Sequence, residues 1–219
     1  MILQILFRNW SQEHDMLKNI WNKLFTGPAE PQPDIYIIAQ LNDKLEPIGR
    51  YEIYEQPLEE FLKQKWYGEV TGGGTLQAED GEIKYCDLEI KLREKEINRQ
   101  VITDLIHKLE GLGAPKGSKL IIEKTNEEIA FGKLEGLGLY LDGINLPDEV
   151  YKNSDPDALI NDINKLLNIQ SGDWVRYWQG NTETGFYFYG PSFTEMKNAI
   201  AGLLNSNPEC ENARVVQVA

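Results

Sequence analysis

At 219 residues, with 41% hydrophobic and 26% charged, the chain has the make-up of a globular protein large enough for a real core, in one large domain or two small ones. Asp and Glu number 35 against 22 Lys and Arg, a net charge of −13, which disfavours nucleic-acid phosphate and anionic lipid and suits a basic partner, unless the acidity serves only solubility. No apolar run approaches the ~18 residues of a membrane span. Cys86 and Cys210 are too few and too far apart for a disulfide framework, so a reducing, cytoplasmic setting is expected.

The opening MILQILFRNW lacks a basic stretch and a small-residue cleavage site, so Met1–Phe7 reads as a strand rather than a signal peptide. Ser11 is placed to cap a helix with Met16, Leu17, Ile20, Trp21, Leu24 and Phe25 at helical spacing, and Gly27 with Pro28–Pro33 stops it. Asp34–Leu41 is strand-like. Residues 1–48 thus read as a strand-helix-strand extension.

From Gly49 onward one order of elements occurs twice. Over residues 49–126 it runs strand Arg50–Glu55, short helix Pro57–Lys65, strands Tyr67–Thr71 and Ile83–Leu92, long helix Lys95–Gly111 and strand Ser118–Lys124. Asp80-Gly81 marks the hairpin turn, and Ile97, Val101, Ile102, Leu105, Ile106 and Leu109 make one apolar stripe on the long helix. Over residues 127–219 it runs strand Leu137–Asp142, helix Pro156–Ile169, strands Trp174–Gln179 and Thr184–Tyr189, helix Phe193–Leu204 and strand Ala213–Val218. Asp155-Pro156 is a cap and first-turn pair, and Ser192 with Glu195 forms a capping box. Thr125-Asn126 separates two further strand-like runs and can turn a hairpin between the repeats. The expected fold is α+β, two tandem ferredoxin-like β-α-β-β-α-β units behind the N-terminal extension.

Several stretches invite a functional reading. Thr71–Thr75, TGGGT, could present bare N–H groups to phosphate, but it leads into a strand rather than a helix, which favours a bulge or close backbone packing. GAPKGSK (113–119) lies between a helix and a strand, the wrong order for a phosphate loop. LYLDGINL (139–146) and TGFYFYG (184–190) resemble the two RNA-contacting strands of the RNA-recognition motif, which stack bases on such aromatics. Thr184 stands where that motif opens with Lys or Arg. From Leu137 onward, eleven Asp and Glu face five Lys and Arg, which argues against RNA.

The hairpin of the second repeat sets Trp174, Arg176 and Trp178 on one side and Val175 and Tyr177 on the other, with Phe186 and Phe188 alternating against Tyr187 and Tyr189 across the turn. One set packs on the helices. The other offers aromatic and arginine anchors to a partner, or is covered by the N-terminal segment or the first repeat. In the first repeat, Cys86, Leu88, Ile90 and Leu92 face the helices and turn Asp87 and Glu89 outward, as a solvated face, an acidic patch for a basic partner, or paired carboxylates. His14 and His107 match no zinc spacing, and no Gly-x-Ser-x-Gly elbow or Cys/His dyad occurs. NSDPDA (153–158) lacks the glycine and terminal Glu of a calcium loop and reads as a helix cap. No catalytic residue, cofactor or metal is assigned.

GEVTGGGT, EIKYCDLEIKL, LDGINLPDEVY, WVRYWQGNTETGFYFYG and the C-terminal P-x-C-x-x-A-R-V-V-Q-V-A together resemble small uncharacterised bacterial proteins of immunity type, from polymorphic-toxin and contact-dependent inhibition systems. The resemblance covers about Tyr67–Ala219. It implies a cytoplasmic, non-enzymatic protein that binds and neutralises a basic toxin domain. On this reading Asp87, Glu89, Trp174, Arg176, Trp178, Tyr187 and Tyr189 are the partner-binding candidates. The alternatives are a small-molecule binder or enzyme with Asp87, Glu89, Arg176 and Tyr177 around one cavity between the repeats, or a homodimer through open sheets.

Overall fold

The computed structural model describes residues 33–169 and 175–219. The chain divides into two units, Met1–Pro33 and Asp34–Ala219. The strand Met1–Phe7, the helix capped by Ser11, and Trp174 lie outside the described residues.

The second unit is α+β, with two antiparallel sheets. Its first sheet begins earlier than the sequence suggested. Strand β1 (Ile35–Leu41), read as part of the extension, is central: it pairs with β3 (Ile83–Leu92) on one side and β4 (Ser118–Ile122) on the other. Strand β2 (Gly68–Gln77) lies outside β3, and β5 (Glu127–Phe131) outside β4, giving the order β2-β3-β1-β4-β5. Ile35, Ile37, Ala39 and Leu41 are fully buried on one side, which is why this strand takes the middle.

Arg50–Glu55 is not a strand. It belongs to a helical run formed by α1 (Pro47–Arg50), a π turn (Tyr51–Glu55) and α2 (Gln56–Lys65). Tyr51 and Ile53 alternate as in a strand, but the fully buried residues are Tyr54, Leu58 and Leu62, spaced by four. At the end of the π turn the Gln56 N–H reaches back to the carbonyl of Tyr51, and Pro57 follows. Proline has no N–H to give, so the widened turn falls where the ladder loses a donor. Helix α3 (Arg99–Gly111) starts later than expected because Asn98 caps it, its side chain accepting from the Gln100 N–H. Helices α2 and α3 close one core over the first sheet, around Leu58, Leu62, Leu88, Ile90, Leu105 and Leu109.

TGGGT lies within β2, as the bulge reading expected: the register slips between Val70 and Gly72. A Cβ at Gly73 would stand 2.7 Å from the Asp87 carbonyl and 3.2 Å from Arg50 Nε, so the glycine admits the Arg50–Glu55 ion pair (2.6 Å) against the strand. Asn126 takes a left-handed conformation in the expected β4–β5 hairpin. At Gly132 the chain leaves the first sheet with φ +103, where an added Cβ would fall 1.8 Å from the Pro115 carbonyl oxygen.

The second sheet has the order β7-β8-β6-β9, from β6 (Glu135–Asp142), β7 (Arg176–Gln179), β8 (Glu183–Gly190) and β9 (Arg214–Gln217). Between β6 and β7 stand a short helix not foreseen, α4 (Asp148–Lys152), and α5 (Pro156–Leu167), capped by Asp155 as NSDPDA suggested. Helix α6 (Phe193–Ser206) is capped by Ser192, whose hydroxyl accepts from the Glu195 N–H. A second core forms on that side, around Leu137, Leu139, Phe186, Phe188, Ile163 and Ile200. Cys86 and Cys210 are free thiols buried in the two different cores. Among the described residues no helix is long and apolar enough to cross a membrane.

Candidate functional site

Alternation along β7 and β8 puts Phe186 and Phe188 on the helices, so Arg176, Trp178, Tyr187 and Tyr189 share the opposite face of the second sheet with Tyr140. That face is not open. The loop after β1 and the β2–β3 turn of the first half lie against it, and the residues read as partner anchors bind there instead.

Two carboxylates organise this contact. Asp43, fully buried, accepts from Arg176 Nε at 2.7 Å and Nη2 at 3.1 Å, and from the Tyr54 hydroxyl at 2.9 Å. The Arg176 guanidinium also lies over the Tyr189 ring at 5.1 Å. Burial works against its charge, but the Asp43 carboxylate outweighs burial and holds the guanidinium above its ordinary pKa. Burial, then the Asp43 charge, push the Tyr54 and Tyr189 hydroxyls well above theirs.

Glu82, beside the Asp80-Gly81 turn, is the second centre. One of its oxygens accepts from the hydroxyls of Tyr140 (2.9 Å) and Tyr187 (2.8 Å) and meets Lys44 Nζ at 3.3 Å. Burial and this hydrogen bond push the Tyr140 hydroxyl up to about 12 and Tyr187 higher still. Trp178 donates its indole N–H to the Asp80 carbonyl at 3.1 Å and meets Tyr140 edge to face. Tyr140 and Tyr187 are 7% and 4% exposed, so the rings that would stack bases are already engaged. Neither Asp43 nor Glu82 stood out in the sequence. Arg176 lies 133 residues beyond Asp43, and a lone acid in a loop carries no spacing signal for such a partner.

The first sheet presents a different face. Asp87 and Glu89 point away from the helices, as expected, alongside Glu69, Glu128, Lys91 and Lys119. Both lysines are engaged, Lys91 with Asp34 and Lys119 with Glu128, each at 2.9 Å. Glu69, Asp87 and Glu89 form no ion pair with described residues. Glu89 accepts from the Thr71 hydroxyl. The β2 partners of Glu89 and Asp87 are Gly72 and Gly74, which have no side chain to cover them.

The polar groups expected around one cavity are dispersed. Arg176 lines a cavity of about 210 Å³ where the halves meet, and Tyr177 lines a cleft of about 500 Å³ on the helix side of the second sheet. Asp87 and Glu89 line neither. No group of three or more His, Cys, Asp or Glu placed to hold a metal occurs among the described residues.

No family model matches the chain, and no curated protein matches it. Among solved structures it is similar to an unknown protein from Galdieria sulphuraria, at 11% identity and a TM-score of 0.27, over 85% of this chain and 99% of that one. It is also similar to the first two RRM domains of yeast poly(U)-binding protein, at 8% identity and a TM-score of 0.22, over 84% and 99%.

Proposed function

We propose that this protein is a non-enzymatic, cytoplasmic protein-binding module of immunity type, which binds and neutralises a basic toxin domain through the outward face of its first sheet. The observation that carries this reading is the charge of that face. Glu69, Asp87 and Glu89 stand unpaired among described residues, while the two lysines beside them are held by Asp34 and Glu128. Such a field speeds encounter with a cationic surface and weakens in salt. The engaged rings of the second sheet leave nucleic acid without a stacking platform there. The strand orders β2-β3-β1-β4 and β7-β8-β6-β9 are consistent with two tandem ferredoxin-like units, the first beginning at β1.

The test is binding of the purified protein to the toxin domain encoded beside its gene, at low and at high salt. Tight association at low salt, reduced at least tenfold by Asp87→Lys with Glu89→Lys, is the expected result. No association at low salt overturns the reading. Homodimerisation through the same face would compete with the toxin, and light scattering across a dilution series distinguishes the two.

A further inference from the structure

The cleft on the helix side of the second sheet has no role in the partner-binding reading. It is lined by Leu141 and Phe186 of β6 and β8, Ile160 of α5, Val150 of α4, Tyr177 of β7 and Val175 just before that strand. At about 500 Å³ it falls within the roughly 300–1,000 Å³ of small-ligand sites. Val175 and Tyr177 are 48% and 52% exposed, and Tyr151 at the mouth is 37% exposed. Three large apolar or aromatic side chains therefore border a single concavity without burying themselves in a core. Isolated exposed residues are ordinary, but exposed residues converging on a cavity mark apolar surface held for something else.

The charged lining among the described residues has one sign. Asp142, Asp157 and Glu209 are acidic, and among the described residues no Lys, Arg or His lines the cleft. Hydrogen bonds from the N–H groups of Ile144 and Asn145, with the side-chain amides of Asn145 and Asn212, hold the Asp142 carboxyl down to about 2, so it is charged at any physiological pH and is fixed by neutral donors. Glu209 accepts from the Ser154 hydroxyl (2.8 Å) and the Asp155 N–H (2.9 Å), neutral donors that fix its position. The nearby Arg214 is engaged in a two-pronged contact with Glu183, each bond 2.8 Å.

We infer that this cleft is a binding site for a small organic cation with an apolar or aromatic body, whose ammonium or guanidinium group lies toward Asp142, Asp157 and Glu209 while the body fills the space between Phe186, Ile160 and Tyr177. The tyrosine faces add cation–π attraction and the aliphatic walls desolvate the body. An anion of the same shape meets three like charges and is rejected.

The experiment is titration of the full-length protein, by calorimetry and by chemical-shift mapping, with tryptamine, tyramine and phenethylamine, and with 3-ethylindole and indole-3-propionate as neutral and anionic counterparts. At least one amine is expected to bind at least tenfold more tightly than either counterpart, with shifts centred on Ile160, Tyr177 and Phe186. The exposed variants Asp157→Asn and Tyr177→Ala are each expected to weaken it at least threefold, with the melting temperature unchanged as a control on folding. No binding by any of the amines, equal binding of the neutral or anionic counterpart, or amine binding indifferent to both variants overturns the assignment. Because the toxin assay reads a different face, Asp157→Asn is expected to leave it unchanged, so the two readings fail separately.

Discussion

The two sheets use the side opposite their helices in contrary ways. On the second sheet that side is aromatic and buried, with Tyr140, Tyr187 and Trp178 held by Glu82 and the Asp80 carbonyl, and Arg176 held by Asp43. On the first, Tyr36, Ile38 and Ile121 share the face with Asp87, Glu89 and Glu69, three carboxylates that form no ion pair with described residues. A sheet face rich in rings has apolar area to gain by being covered, and the donors at the ring tips decide what covers it. Carboxylates gain nothing from burial without cations. Here the cover comes from within the chain, so aromatic composition marks an internal joint, while the proposed partner surface is the acidic strand.

The largest expected effect comes from breaking the joint at Asp43. Asp43→Ala takes the carboxylate away from the Arg176 guanidinium and the acceptor away from the Tyr54 hydroxyl, at a cost of about 3–5 kcal/mol, or a melting-temperature fall of roughly ten degrees. Replacing both members of the pair, Asp43→Leu with Arg176→Met, is expected to recover most of the loss, because no buried charge is left alone. Equal loss in single and double variants would show that the pair is not what makes the joint depend on Asp43.

Alkali tests the same joint more gently. The hydroxyls of Tyr140 and Tyr187 titrate above their ordinary value of 10.0 in the folded protein, so the neutral, hydrogen-bonded form stabilises the fold. That contribution is complete below pH 10 and is lost as the pH rises through about 12, where Tyr140 ionises. Absorbance at the tyrosinate band is expected to show these rings, with Tyr54 and Tyr189, ionising after the exposed tyrosines, together with loss of near-ultraviolet circular dichroism. Ionisation of every tyrosine near pH 10 would contradict the buried placement.

A smaller effect is expected from Tyr187→Phe, which removes one hydrogen bond to Glu82 while Tyr140 still donates: about 1 kcal/mol by urea unfolding. The smallest is on the other face. Asp87→Lys with Glu89→Lys is expected to change stability by no more than about 0.5 kcal/mol while weakening the proposed salt-sensitive partner binding at least tenfold. A large stability loss there would mean that this face, too, is covered.

Local signals carried most of the elements. Asp155, Ser192 and the Asp80-Gly81 turn act through neighbours within a few residues, and all three stand where the sequence put them. Arg50–Glu55 misled because a six-residue window cannot separate an alternation of Tyr51 and Ile53 from the wider spacing of Tyr54, Leu58 and Leu62. The outward turn of Asp87 and Glu89 followed from strand period alone. The fate of Arg176, Trp178, Tyr187 and Tyr189 did not, because their partners Asp43, Asp80 and Glu82 are set by how the two halves meet. The cleft was equally hidden, since it depends on α4, a helix of 5 residues, and on side chains drawn from four segments.

The order of the joint along the chain has a consequence for biosynthesis. Asp43, Asp80 and Glu82 all precede Tyr140, Arg176, Trp178 and Tyr187, so the groups that cover the aromatic face leave the ribosome first. Each ring then meets a waiting acceptor as it emerges, and the stretch most prone to stick to other nascent chains is shielded as soon as its strands pair. A circularly permuted gene that translates residues 135–219 before residue 34 would encode the same contacts and expose those rings for the whole time the first sheet is being made. It is expected to yield less soluble protein in the cell while matching the native form once refolded in dilute solution.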